Sequence, residues 1–140
     1  MALFQDIVVP TDYGEAAQRA ADLACELARQ FRARLTLLHV WSVPTPAYAE
    51  RVSLPIEEMQ AGAQRALEIE AARLRPKFPA IESLLIRGQP WSAIVEAVTE
   101  HGFDLVVMGT HGRRGVERFF VGSVADRVVR TSHVPVLTVR

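Results

Sequence analysis

The chain has 140 residues, 49% apolar and 23% charged, and its sixteen basic and sixteen acidic side chains cancel. A chain of that length can bury one core without disulfides or metal, and its neutrality excludes a global pull on nucleic acid or anionic lipid, so any anion site must be local. The one cysteine, Cys25, rules out an internal disulfide and reads as a small buried hydrophobe, and no Cys/His spacing suggests zinc.

The opening Met1-Ala2-Leu3-Phe4-Gln5-Asp6 has neither a basic start nor a long apolar stretch, so no signal peptide is expected. No apolar run approaches the roughly 18 residues of a membrane helix, and a cytoplasmic chain is expected. Ile7-Val8-Val9-Pro10 reads as the first strand. Ala16, Ala20, Leu23, Ala24, Leu27 and Phe31 then recur at steps of three and four, which predicts an amphipathic helix buried on that face. Leu35 to Trp41 reads as a second strand, and the proline-bearing stretch Ser42 to Leu54 as an exposed loop and candidate lid. Pro55 can open a second helix with Ile56, Met59, Ala63, Leu67, Ala71 and Leu74 inward, stopped by Pro76. Ile81 to Ile86 is a third strand, Trp91, Ile94, Val95 and Val98 mark a third helix, and Asp104 to Met108 is a fourth strand. A glycine-punctuated loop, Gly109 to Ser123, leads to a short helix around Val124, Ala125, Val128 and Val129, and Val134 to Val139 closes the chain as a fifth strand. Pro135 cannot donate to a ladder, so this strand should begin there or lie on an edge. Strands alternating with helices predict an α/β fold, a parallel sheet covered on both faces. Trp41 and Trp91 are expected near the sheet ends, and His39, His101 and His133 read as structural or surface groups.

In an open parallel sheet, ligands lie beyond the carboxyl ends of the strands, where strand order reverses. Pro10-Thr11-Asp12, Val40 and Met108-Gly109 fall at such ends. The richest segment is Gly109-Thr110-His111-Gly112-Arg113-Arg114-Gly115, followed by Gly122-Ser123 at the start of a helix. Glycines let phosphate oxygens approach several backbone N–H groups, and a helix N-terminus adds unpaired amides and a positive dipole end. No Gly-x-x-x-x-Gly-Lys-Ser/Thr, Gly-x-Gly-x-x-Gly or Gly-x-Ser-x-Gly pattern is present, which argues against a Walker loop, a dinucleotide fingerprint and a hydrolase elbow. Asp12 with Glu15, and Ser123 with Asp126, also fit helix caps, a reading compatible with a ligand role. The Arg113–Arg114 pair is either exposed loop or a reach to outer phosphates. His111 has no visible partner nucleophile and reads as a binding or structural group, so no catalytic residue is assigned.

Gly109-x2-Gly112-x9-Gly122-Ser123 resembles the nucleotide-binding signature of ATP-binding universal stress proteins. Ile7 to Asp12, Asp104 to Gly112 and Val134 to Val139 are similar to the same family, and the order of elements agrees along essentially the whole chain. One departure is Gly14 before Glu15, where the family often has serine. The resemblance implies one universal stress protein domain over residues 1–140, with a Rossmann-like open sheet of five parallel strands in the order 3-2-1-4-5. By that similarity Asp12 and Val40 border adenine, Pro10 and Thr11 shape the pocket beside it, and Met108 and Gly109 lie near the adenosine. His111 and Gly112 lie near ribose and phosphates, Arg113 is a further candidate, and Gly122, Ser123, Val124 and Ala125 offer amides to the phosphates. The implied cofactor is ATP with Mg2+, although no carboxylate cluster marks protein ligands for the cation. The implied function is an ATP-binding stress-response or signalling module, a homodimer through Val134 to Val139 that binds neither nucleic acid nor membrane. The alternatives are a slow ATPase or phosphotransferase, for which His111, Ser123 and Asp12 are the available actors, and an interaction module with a vestigial nucleotide site.

Overall fold

The alternating β-branched and helical runs fold as strands and helices in the expected order. The computed structural model describes residues 3–44, 54–110 and 122–140. In chain order the elements are β1 (Asp6–Pro10), α1 (Glu15–Phe31), β2 (Arg34–Trp41), α2 (Ile56–Leu74), β3 (Glu82–Arg87), α3 (Pro90–His101), β4 (Leu105–Gly109), α4 (Ser123–Thr131) and β5 (Val136–Val139). Every strand pair is parallel and the order is β3-β2-β1-β4-β5, so the expected sheet is the observed one and β1 does lie against β4. Ile7 stands beside Leu35 on one side and Leu105 on the other, which fixes the register at the centre.

Strand side chains alternate between faces and so feed two cores. Ile7, Val9, Leu35, Leu37 and Val107 pack with α1 and the second half of α2. Val8, Leu38, Val106 and Met108 pack with α3 and α4. Burial on both sides holds for the three inner strands only, because β3 and β5 are the edges and stay partly exposed. β5 begins at Val136, one residue after Pro135, whose carbonyl accepts the Val106 N–H at 3.0 Å. Asp104 precedes β4 instead of opening it. Its carboxylate accepts the Gln5 and Asp6 N–H groups at 2.8 and 3.0 Å and so pins the start of β1.

The buried face of α1 differs from the one the leucines suggest. Ala16, Ala17, Ala20, Ala21, Ala24, Cys25 and Ala28 face the sheet, whereas Leu23 is 37% exposed and Leu27 and Phe31 are half-buried. The cause is distance. A β-carbon on Gly109 would lie 2.8 Å from Ala16 C and Ala17 N, so helix and strand approach too closely for larger side chains between them. Cys25 is fully buried, and that burial pushes its thiol pKa up, as expected of an inert hydrophobe. In α2 only Leu67, Glu70, Ala71 and Leu74 are buried, while Ile56 is exposed and Met59 and Ala63 are half-buried, because the first turns lie outside both cores. Trp41 lies under the Arg87 guanidinium at 5.6 Å, and Trp91 under that of Arg127 at 5.1 Å, which joins α3 to α4.

A charged strap ties α1 to α2. Asp22 Oδ1 accepts from Arg73 Nη1 at 3.0 Å and Lys77 Nζ at 2.9 Å, and Arg73 also holds Glu70 at 2.6 Å. Burial alone would raise the Asp22 pKa, but hydrogen bonds and charge from Lys77 and Arg73 outweigh it and hold the carboxyl below its ordinary 3.8. A carboxylate depressed in the folded state adds stability above its unfolded pKa, and that stability is lost as pH falls through the folded value. Stability should therefore drop as pH falls below about 4, and Asp22→Asn should flatten that limb in urea midpoints measured from roughly pH 2 to pH 6. An unchanged acid limb in the variant would show that the strap contributes nothing.

Candidate functional site

The carboxyl ends of β1, β2 and β4 converge with the starts of α3 and α4. Beyond β1, Thr11 donates its N–H to the Leu38 carbonyl at 2.8 Å, and Thr11 O lies 2.7 Å from His39 Nδ1. A carbonyl only accepts, so Nδ1 carries the proton. Thr11 Oγ1 accepts the Tyr13 N–H at 3.0 Å and Asp12 Oδ1 accepts the Gly14 N–H at 2.9 Å, two side-chain turns in succession. Tyr13 takes φ 68°, and its ring lies 4.7 Å from that of His39.

This geometry corrects the capping reading. Asp12 turns the chain onto Gly14, and Gly14 is the N-cap of α1, so the Asp12–Glu15 capping box does not form. At the other helix, Gly122 is the N-cap and Ser123 the first helical residue, so Ser123 makes no side-chain cap. The Gly122 N–H donates to the Thr110 carbonyl, while the Thr110 N–H donates to Val139 O at 2.8 Å. Gly122 thus has no amide free for a phosphate; it joins β4 to α4. The first helical bond runs from Asp126 N–H to Gly122 O at 2.9 Å, so the amides of Ser123, Val124 and Ala125 have no partner within the helix. Gly109 is likewise explained by the backbone of α1 crossing it, not by clearance for a ligand alone.

A cavity of about 250 Å³ lies at this junction. It is lined by Pro10, Thr11, Asp12, Val40, Met108, Gly109, Gly122, Ser123, Val124 and Ala125, all expected from the sequence. His111, Gly112 and Arg113 lie outside the described residues, as does most of the candidate lid. Ala17, Leu38, His39, Pro90, Ile94 and Thr110 also line the cavity, beyond the residues the sequence pattern points to. His39 was legible in one respect, as the imidazole within the otherwise apolar run Leu37 to Trp41. Proline, leucine, valine, isoleucine and methionine side chains line the cavity together with the first turn of α4. No lysine or arginine lines the cavity among the described residues. An anion there would be met by amides and the positive end of the helix dipole. The arrangement suits a flat apolar body that carries a phosphate. Among the described residues, no three His, Cys, Asp or Glu side chains come together to hold a metal ion. None of the described helices is long and apolar enough to cross a membrane.

The sequence model of the universal stress protein family matches residues 3–140. The chain belongs to the universal stress protein family. A universal stress protein of Thermus aquaticus is 34% identical over 139 residues, covering 99% of this chain and 100% of its own. Among solved structures, the universal stress protein UspA of Lactobacillus plantarum superposes with a TM-score of 0.79 at 29% identity, covering 100% of both chains. A universal stress protein in complex with cAMP gives 0.72 at 28% identity, covering 98% of this chain and 97% of its own. The Archaeoglobus fulgidus universal stress protein in complex with dAMP gives 0.72 at 25% identity, covering 100% of both. In this universal stress protein, the glycine signature spans the Thr110–Gly122 bond, which carries the end of β4 to the open turn of α4.

Proposed function

We propose that this universal stress protein binds ATP in the junction cavity and that the bound nucleotide biases its conformation or its partners. The observation that carries the reading is the meeting of an apolar pocket with three amides, Ser123, Val124 and Ala125, left without helical partners. The complexes of relatives with cAMP and dAMP support an adenine nucleotide. Adenine is bordered by Asp12 and Val40, with Pro10 and Thr11 beside it and Met108 and Gly109 near the adenosine, and the phosphates extend toward the first turn of α4. A magnesium ion travels with the phosphates, held by their oxygens and water, in keeping with how Mg2+ is usually bound. Thr110 gives the coupling a physical basis, since one residue bonds the end of β5 and the cap of α4. β5 is a sheet edge with Leu137 39% exposed, and two copies pair along it. A monomer by light scattering at micromolar concentration contradicts that pairing. Calorimetric titration of the full chain with ATP and Mg2+ tests the site itself. It should show saturable binding near one nucleotide per chain, and no heat at millimolar ATP would defeat it.

A further inference from the structure

We infer that His39 is a positioning residue for the nucleotide pocket, clamping the Thr11–Asp12 peptide through its Nδ1–H; this rests on the nucleotide reading proposed above. His39 belongs to β2, an inner strand between β1 and β3, and its half-buried ring lines the cavity. Both polar groups of the Thr11 backbone are anchored on consecutive residues of β2: the N–H on the Leu38 carbonyl at 2.8 Å and the carbonyl on His39 Nδ1 at 2.7 Å. The peptide is trans and planar, so fixing the Thr11 carbonyl also fixes the direction of the Asp12 N–H. The next residue, Tyr13, holds a left-handed backbone that a bulky L-residue adopts only when its surroundings over-determine it. Its ring lies against the same imidazole at 4.7 Å. His39 thus holds the turn from two sides, by a hydrogen bond at Thr11 and ring contact at Tyr13. Removing the donor leaves the Thr11 carbonyl without its side-chain partner and loosens two residues of the pocket wall. With Nδ1 committed to that carbonyl, the imidazole acts through Thr11 and Asp12 and is not assigned a proton-transfer role.

Two substitutions separate the donor from the bulk. His39→Asn places an amide N–H near the position of Nδ1, and His39→Leu fills space without donating. Affinity for ATP with Mg2+, measured by calorimetry on the full chain, should fall about tenfold or more in His39→Leu and stay within about threefold of the parent in His39→Asn. Binding by His39→Leu within threefold of the parent overturns the inference, as does His39→Asn binding as weakly as His39→Leu. Long-range 1H–15N NMR of the unsubstituted protein in alkaline buffer gives a readout that does not depend on binding or on either variant folding. It should find the neutral ring protonated at Nδ1, and protonation at Nε2 alone overturns the clamp. If the parent binds no ATP, the nucleotide reading fails, and the tautomer still decides whether the clamp exists.

Discussion

Gly109→Ala should destabilise the protein by about 2 kcal/mol and lower its melting temperature by roughly 8 °C, the scale of an overpacked core in a chain of this size. The added methyl carbon would lie 2.8 Å from Ala16 C and Ala17 N and 2.9 Å from Ala16 Cβ. None of these atoms belongs to a side chain that can rotate aside, so either α1 lifts from β4 or the end of β4 shifts. Gly109 and Ala17 both line the cavity, so the same change should weaken nucleotide binding. Gly62→Ala is the internal control. Gly62 lies within α2, and a β-carbon there meets only the Arg65 guanidinium at 3.8 Å, so the substitution should stabilise by about 0.5–1 kcal/mol through helix propensity. Urea or thermal melts of both variants check the pair. Equal melting temperatures for Gly109→Ala and the parent would mean that α1 is not seated on this strand as described.

Ser123→Asp should separate helix stability from phosphate binding. Ser123 is exposed at the first position of α4, where a carboxylate complements the helix dipole and stabilises by a few tenths of a kcal/mol. The same charge stands where phosphate oxygens would lie. A like-charge contact of about 4 Å in a partly solvated site costs roughly 2 kcal/mol, or about thirtyfold in affinity for ATP. Adenosine, which has no phosphate, should bind the variant and the parent alike. The melting temperature should hold or rise while ATP affinity falls. Equal losses for adenosine and ATP would place the effect on the pocket as a whole, and no loss for ATP would move the phosphates away from α4.

The central sheet was legible because three near-continuous apolar runs, Ile7 to Pro10, Leu35 to Trp41 and Leu105 to Met108, fit a strand covered on both faces. The cavity was legible for a related reason, since crossover connections put the strand ends and helix starts on one side. What local pattern did not carry was tertiary distance. Nothing in the spacing of Leu23 and Leu27 says that α1 must come close enough to exclude them and seat its alanines instead. An aspartate three residues before a glutamate looks the same whether it caps a helix or, as Asp12 does, turns the chain two residues ahead of the cap. The glycines at 109 and 122 stand out in the sequence, but the structural task of each does not. One is required by the helix that crosses it, and the other gives its amide to Thr110. The tie between His39 and Thr11 is hidden in the sequence because the two are 28 residues apart and adjacent only once β1 and β2 pair.

The most direct measurement is an amide 1H–15N spectrum of the uniformly labelled protein titrated with ATP and Mg2+, with adenosine as the reference titrant. Ser123, Val124 and Ala125 should shift with ATP and stay in place with adenosine, while Thr11, Asp12 and Val40 shift with both. Shifts at Thr11, Asp12 and Val40 with ATP but none in the first turn of α4 would contradict the assignment of phosphate to those amides.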